Sequence, residues 1–158
     1  TRVVALSVMG FNLATIVGCL AVPWLAERWG RKRLLAVYYA IGGVSVALGF
    51  GVLFNHPRYA LGLFIASLPF MGIGTNSDFA IFTLWLPELY PTRLRATGFA
   101  FATSAGRFVG ALGPYVVGQL IARFHNLGLG VAQIAWVFVL GLLLLPFAAE
   151  TRGRAIPE

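Results

Sequence analysis

Five runs of mostly apolar residues, each about twenty residues or longer, constrain this chain more than any other feature. They cover 3–25, 34–54, 60–86, 96–122 and 128–149, and charged residues collect between them. A bilayer core of ~30 Å needs about 20 apolar residues per helical span. Lipid cannot satisfy the backbone groups of open strands, so each run is expected to be a membrane-spanning helix. At ~1.5 Å per residue the 60–86 run reaches roughly 40 Å, so one continuous helix there must tilt or project from the membrane. Composition agrees. Only 11% of the 158 residues are charged and 59% are hydrophobic, where soluble domains carry about 25% charged residues.

The charges that remain are asymmetric. Twelve Lys/Arg stand against five Asp/Glu, for a net charge of +7. In a soluble protein such a balance points to nucleic acid, but no basic face here exceeds one loop, so no nucleic-acid partner is expected. Arg28, Arg31, Lys32, Arg33, Arg93, Arg95, Arg152 and Arg154 fall on one side of the five spans. Arg2, Arg58 and Arg123 fall on the other. Short cation-rich loops stay in the cytoplasm. The 26–33 loop, the 87–95 loop and the tail from 150 to 158 are therefore expected inside, and Thr1 outside. An outside start without a signal peptide implies an odd number of earlier spans, hence a missing N-terminal part. Cys19 is alone, so no disulfide within the chain and no metal-ligand spacing is expected, and no motif calls for a cofactor.

Polar groups in hydrocarbon need partners or water. They concentrate in the first span (Ser7, Asn12, Thr15), the third (Thr75, Asn76, Ser77, Asp78, Thr83) and the fourth (Thr97, Thr103, Ser104, Arg107, Tyr115, Gln119). These spans are expected to face a bundle interior or cavity, and the second and fifth to lie outside. Asn12, Asn76, Asp78, Arg107 and Tyr115 are the expected pathway residues. Asp78 lies about 12 Å and Arg107 about 16 Å from the cytoplasmic ends of adjacent spans, at ~1.5 Å per residue. They either form a permanent ion pair, or Arg107 holds a substrate anion while Asp78 gates it or takes a proton. Small residues recur every four positions in the fourth span (Gly98, Ala102, Gly106, Gly110, Pro114, Gly118), as in close helix packing. Pro114 is placed to kink that span.

Three segments then carry a resemblance. "PWLAERWGRKR" (23–33) resembles the G-x-L-A-D-R-x-G-R-K/R loop motif of the major facilitator superfamily, in its second copy between helices 8 and 9. "PELYPTRLRATG" (87–98) resembles the 10–11 loop of its sugar-porter and metabolite:proton symporter branches, and "ETRG" (150–153) the tail after helix 12. Pro23 and Glu27 replace the motif's glycine and aspartate, and "DFAIFTLW" stands where sugar porters carry a Pro-Trp pair. "SAGRFVGALGP" (104–114) is closer to aromatic-acid and nicotinate carriers.

The resemblance implies an all-α integral membrane fold, with five helices forming part of one six-helix half of a twelve-helix bundle. It implies a proton-coupled carrier of a small organic acid or related metabolite in the cell inner membrane, working by alternating access. Its partners would be the solute, H+, the bilayer and the missing N-terminal half. It also implies a cytoplasmic charge network of Glu27, Arg28, Arg31, Glu88, Arg93, Arg95 and Glu150, latching the outward-open state. Lys32 and Arg33 are read as setting topology alone. A sugar-porter-type carrier, and a channel or assembly subunit using the GxxxG stripe (106–110), are the alternatives. An intramembrane enzyme is disfavoured because HExxH, GxSxG and paired-aspartate motifs are missing, and His56 and His125 stand alone in outer loops.

Overall fold

A computed structural model describes residues 2–55 and 60–153. Thr1, His56, Arg58 and Arg154, which entered the topology and loop readings above, lie outside the described residues. The fold is all-α: α1 (Arg2–Trp29), α2 (Arg31–Leu48), α3 (Ala60–Asn76), α4 (Asp78–Glu88), α5 (Arg95–Ala111), α6 (Gly113–Phe124), α7 (Leu127–Ala132) and α8 (Ala135–Leu144). A π-helical turn at Gly49–Leu53 extends α2, and a 3-10 turn at Leu145–Phe147 extends α8.

These helices thread into five rods. Among the described residues, three stretches are long and apolar enough to cross a membrane unbroken: Arg2–Trp29, Arg31–Leu53 and Leu127–Phe147. The expected third and fourth spans are not continuous helices. The third breaks at Ser77, between α3 and α4. Ser77 is fully buried, and its hydroxyl donates to the Thr15 carbonyl of α1 at 3.1 Å. Flanking Asn76 and Asp78 have short polar side chains that compete with the helical backbone. The fourth breaks at Leu112, where Pro114 removes the N–H that the Gly110 carbonyl would accept.

The α3–α4 rod is the centre of the packing. α3 lies against both α1 and α2, α4 touches α1, α2 and α5, and α8 closes on the other side of α2. Lipid tails are as apolar as leucine, so close packing and hydrogen bonds must hold such rods together. Glycines make the close approach possible. A methyl group on Gly18 would sit 2.2 Å from Ser77 Oγ, and one on Gly74 2.2 Å from the Gly42 nitrogen. Thr15 Oγ1 donates to the Gly72 carbonyl at 3.2 Å, and the buried Tyr38 hydroxyl to the Gly18 carbonyl at 2.9 Å.

The tightest core joins Val22 and Ala26 of α1, Leu34, Leu35 and Tyr38 of α2, and Ile81 and Trp85 of α4. It lies directly beneath the turn that connects α1 to α2. Elsewhere the surface is apolar, with Leu6, Leu13, Leu20, Trp136, Leu143 and Phe147 all exposed. That belt suits lipid contact and is too extensive for a water-facing monomer. α2, expected outside, is clamped between α3 and α8, whereas α5 and α6 bury no residue within the described chain.

Candidate functional site

The expected charged residues fall into two places, one at the α1–α2 turn and one along the α4–α5 boundary. At the first, α1 and α2 are joined by Gly30 alone, in a backbone conformation (φ 88°, ψ 157°) that essentially only glycine adopts. So tight a turn leaves the first N–H groups of α2 without partners from its own helix. The Glu150 carboxylate supplies them: Arg31 N–H donates to Oε1 and Lys32 N–H to Oε2, both at 3.1 Å. Glu150 thus caps α2 from 118 and 119 residues away, with its negative charge at the positive end of the helix dipole. Burial pushes its pKa upward. The backbone N–H groups of Lys32, Arg31, Arg152 and Thr151 outweigh that and hold it below the ordinary glutamate value.

Arg31 adds a second tie. Its Nη2 and Nε grip Glu88 in a two-point bond at 2.7 and 3.1 Å, with side chains only 14% and 23% exposed. The planar guanidinium fits a carboxylate in this way and lysine cannot. Thr151 Oγ1 also donates to Glu88 Oε2. Trp85 Nε1 donates to the Ala149 carbonyl at 3.1 Å, and Lys32 Nζ to the Pro146 carbonyl at 2.9 Å. Three chain segments, 26–32, 85–88 and 146–152, are therefore tied at one end of the bundle.

Of the seven residues expected in the charge network, Arg31, Glu88 and Glu150 come together. Glu27, Arg28 and Arg93 are exposed, and Arg28 stacks over the Trp24 ring at 4.6 Å. Arg95 is half-buried, with Nε and Nη2 unbonded. Lys32 was expected to set topology alone; instead it bonds through both its backbone and its ammonium. Gly30, Trp85 and Thr151 were not anticipated. The "WGRK" stretch held the signal for Gly30, since two helices meeting at one residue require it.

Along the α4–α5 boundary, Phe79, Phe82 and Leu86 face Ala102, Thr103, Gly106, Arg107 and Gly110 across a groove of about 520 Å³. This volume falls within the ~300–1,000 Å³ range of small-molecule sites. Arg107 is exposed on the groove and, among the described residues, has no hydrogen-bond or ion-pair partner. Asp78 is half-buried at the start of α4. Asp78 and Arg107 thus make no ion pair; the ion pair found among the described residues is Arg31–Glu88. Asn12 donates to the Val8 carbonyl of its own helix at 2.8 Å, and Asn12, Asn76 and Tyr115 are all exposed.

Comparison with known proteins bears on this arrangement. The family model described as sugar (and other) transporter matches residues 1–158. A Bacillus subtilis protein named for niacin/nicotinamide transport is 33% identical over 137 residues, covering 87% of this chain and 32% of that protein. The gallate transporter of Pseudomonas putida is 26% identical over 145 residues (92% and 30%), and the niacin transporter of Acinetobacter baylyi 28% over 151 (91% and 32%). The chain therefore spans about a third of the length of the curated relatives it matches. These relatives are transporters, not enzymes. With its all-helical fold and lipid-facing surface, the chain is an integral membrane protein that belongs to the sugar (and other) transporter family of the major facilitator superfamily.

Proposed function

We propose that this chain is the C-terminal part of a secondary active transporter that moves a small organic acid across the cell inner membrane by alternating access. The observation that carries the reading is Arg107, a cation at membrane depth on a largely apolar groove, with no carboxylate beside it among the described residues. A charge at the centre of a span costs ~2.5–3.5 kcal/mol even on the mildest scales. A structural ion pair would offset that cost, and Asp78 does not provide one. An anionic solute does. The names of the relatives, with niacin and gallate among them, support an organic acid.

In this reading Arg107 holds the solute's carboxylate, and Asn12, Asn76 and Tyr115 line the path with the preceding half of the protein. Asp78 takes the coupling proton. The Arg31–Glu88–Glu150 cluster faces the cytoplasm, latches the outward-open state and parts when the inner side opens. The test is uptake of labelled organic acids by the whole protein in liposomes. Arg107→Gln abolishes uptake, and Asp78→Asn uncouples it from an imposed pH gradient while leaving counterflow. Full uptake by Arg107→Gln would overturn the assignment.

A further inference from the structure

At the end of the bundle away from the Arg31–Glu88–Glu150 cluster, three rods lose regular helical bonding at similar heights. The α5–α6 rod breaks at Leu112, whose N–H donates only three residues back, to the Val109 carbonyl at 3.1 Å. The α7–α8 rod breaks at Gln133, where Ile134, Trp136 and Val137 also donate three residues back, at 3.0, 3.1 and 2.9 Å. α2 ends in its π turn, where Phe54 N–H donates five residues back to the Gly49 carbonyl at 2.8 Å. At ~1.5 Å per residue these points lie roughly 20–27 Å from the rod ends nearest the cluster. Irregular turns inside a helix mark hinges or strain. Beside the first break Pro114 withholds an N–H, and a methyl group on Gly110 or Gly113 would meet nothing within 4 Å.

Between the two breaks, residues 113–132 form one hairpin. A methyl group on Gly130 of α7 would lie 2.6 Å from Ile121 Cγ1 and 2.8 Å from Ile121 Cα, so α6 and α7 pack backbone against backbone. Asn126 caps α7 by accepting from the Leu129 N–H at 3.0 Å. The hairpin is seated on the π turn. A methyl group on Gly128 would lie 2.6 Å from the Phe50 carbonyl oxygen, which accepts from Asn55 Nδ2 at 3.2 Å. The hairpin also borders a groove of about 710 Å³, with Val116, Val117 and Leu120 of α6 across from Ile134 and Val137. Gly110 lines both this groove and the one at Arg107, so the two adjoin.

We infer that residues 113–132 are a hinged lid that swings as one piece about Leu112 and Gln133, leaves its seat on the π turn, and so changes the width of the approach to Arg107. Soft points at both ends, a tightly packed body between them and empty volume beside it are what such a motion requires. That the approach admits a solute rests on the proposed function; the swing itself does not. α6 spans 12 residues, about 18 Å. A turn of ~20–30° at its hinge, the scale of a sharp helix kink, moves the tip by about 6–9 Å.

The test is a pair of spin-label distances in the whole protein, in a Cys19→Ser background without solute. Leu63→Cys with Leu127→Cys reads the lid tip, and Leu63→Cys with Trp136→Cys reads α8 beyond the hinge; all three positions are exposed. The expected result is two populations about 6 Å or more apart for the first pair and one for the second. Pro114→Ala restores the missing N–H and should collapse the first pair to its shorter distance. If that variant fails to fold, Gly113→Ala, with open space around it, should cut the longer population at least threefold. One population for the first pair in native protein, two populations for both pairs, or hinge variants that change nothing would overturn the inference. Because no solute enters these measurements, they stand apart from the uptake assay: two lid positions in a protein that takes up no organic acid would refute the proposed function and leave the lid.

Discussion

Replacing Gly30 with alanine tests whether the turn and the tail form one unit. The residue sits at φ 88° and ψ 157°, and a side chain held there costs on the order of 1–3 kcal/mol. The added methyl would also lie 2.9 Å from Glu150 Oε2 and 3.3 Å from Glu150 Cδ, so the carboxylate must retreat from the Arg31 and Lys32 N–H groups. Losing one hydrogen bond to a charged acceptor costs about 1.5–3 kcal/mol. Together these give roughly 2.5–6 kcal/mol for Gly30→Ala. The second part depends on Glu150 and the first does not. In a Glu150→Ala background, Gly30→Ala should therefore cost about 1.5–3 kcal/mol less, a coupling that a double-mutant cycle isolates. The assay is reversible unfolding in mixed micelles, followed by tryptophan fluorescence. A cost below ~1 kcal/mol for Gly30→Ala, or strict additivity with Glu150→Ala, would refute the reasoning.

Other consequences follow from the same geometry. Arg31→Ala leaves the Glu88 carboxylate with Thr151 but without its cation and should destabilise by about 2–4 kcal/mol in the same unfolding assay, with Arg31→Lys recovering only part because it cannot bond at two points. Because Glu150's folded pKa is lowered, its contribution to stability is full above the ordinary glutamate value of 4.5 and fades as pH falls through the lower folded value. The stability difference between native protein and Glu150→Gln should therefore be flat near neutral pH and shrink only in acid; a difference that vanishes between pH 6 and 7 would contradict this. Gly18→Ala forces a methyl against Ser77 Oγ and should cost about 1–3 kcal/mol, whereas Gly10→Ala, with open space around it, should cost almost nothing in a parallel thermal-unfolding series.

Helical rods in lipid were legible because apolar runs of that length leave a chain few other options. The breaks within two rods were not equally so. Pro114 marks the one at Leu112 locally, but the one at Ser77 depends on the Thr15 carbonyl, 62 residues away. The charge cluster was partly legible. Arg31, Glu88 and Glu150 come together as the loop motifs suggested, while helix phase turns Glu27 and Arg28 outward. α1 buries Gly18, Val22 and Ala26 at four-residue steps, so the next two positions rotate by ~100° and ~200° away from that face. Lys32 was missed because its bond to Glu150 runs through the main chain. Side-chain type says nothing about that, and only the helix start imposed by Gly30 exposes those N–H groups. The groove was hidden for a similar reason. The stripe of small residues on α5 reads as helix packing until Phe79 and Phe82 are seen across from it.

The most direct test is sidedness. In a Cys19→Ser background, single cysteines at Arg33, Arg93 and His125 can be probed with a membrane-impermeant thiol reagent on intact and opened cells. The expected result is labelling of positions 33 and 93 only from the cytoplasmic side, and of position 125 only from outside. Labelling of 33 and 93 from opposite faces would contradict a shared cytoplasmic end for the Arg31–Glu88–Glu150 cluster, and with it the five-rod arrangement.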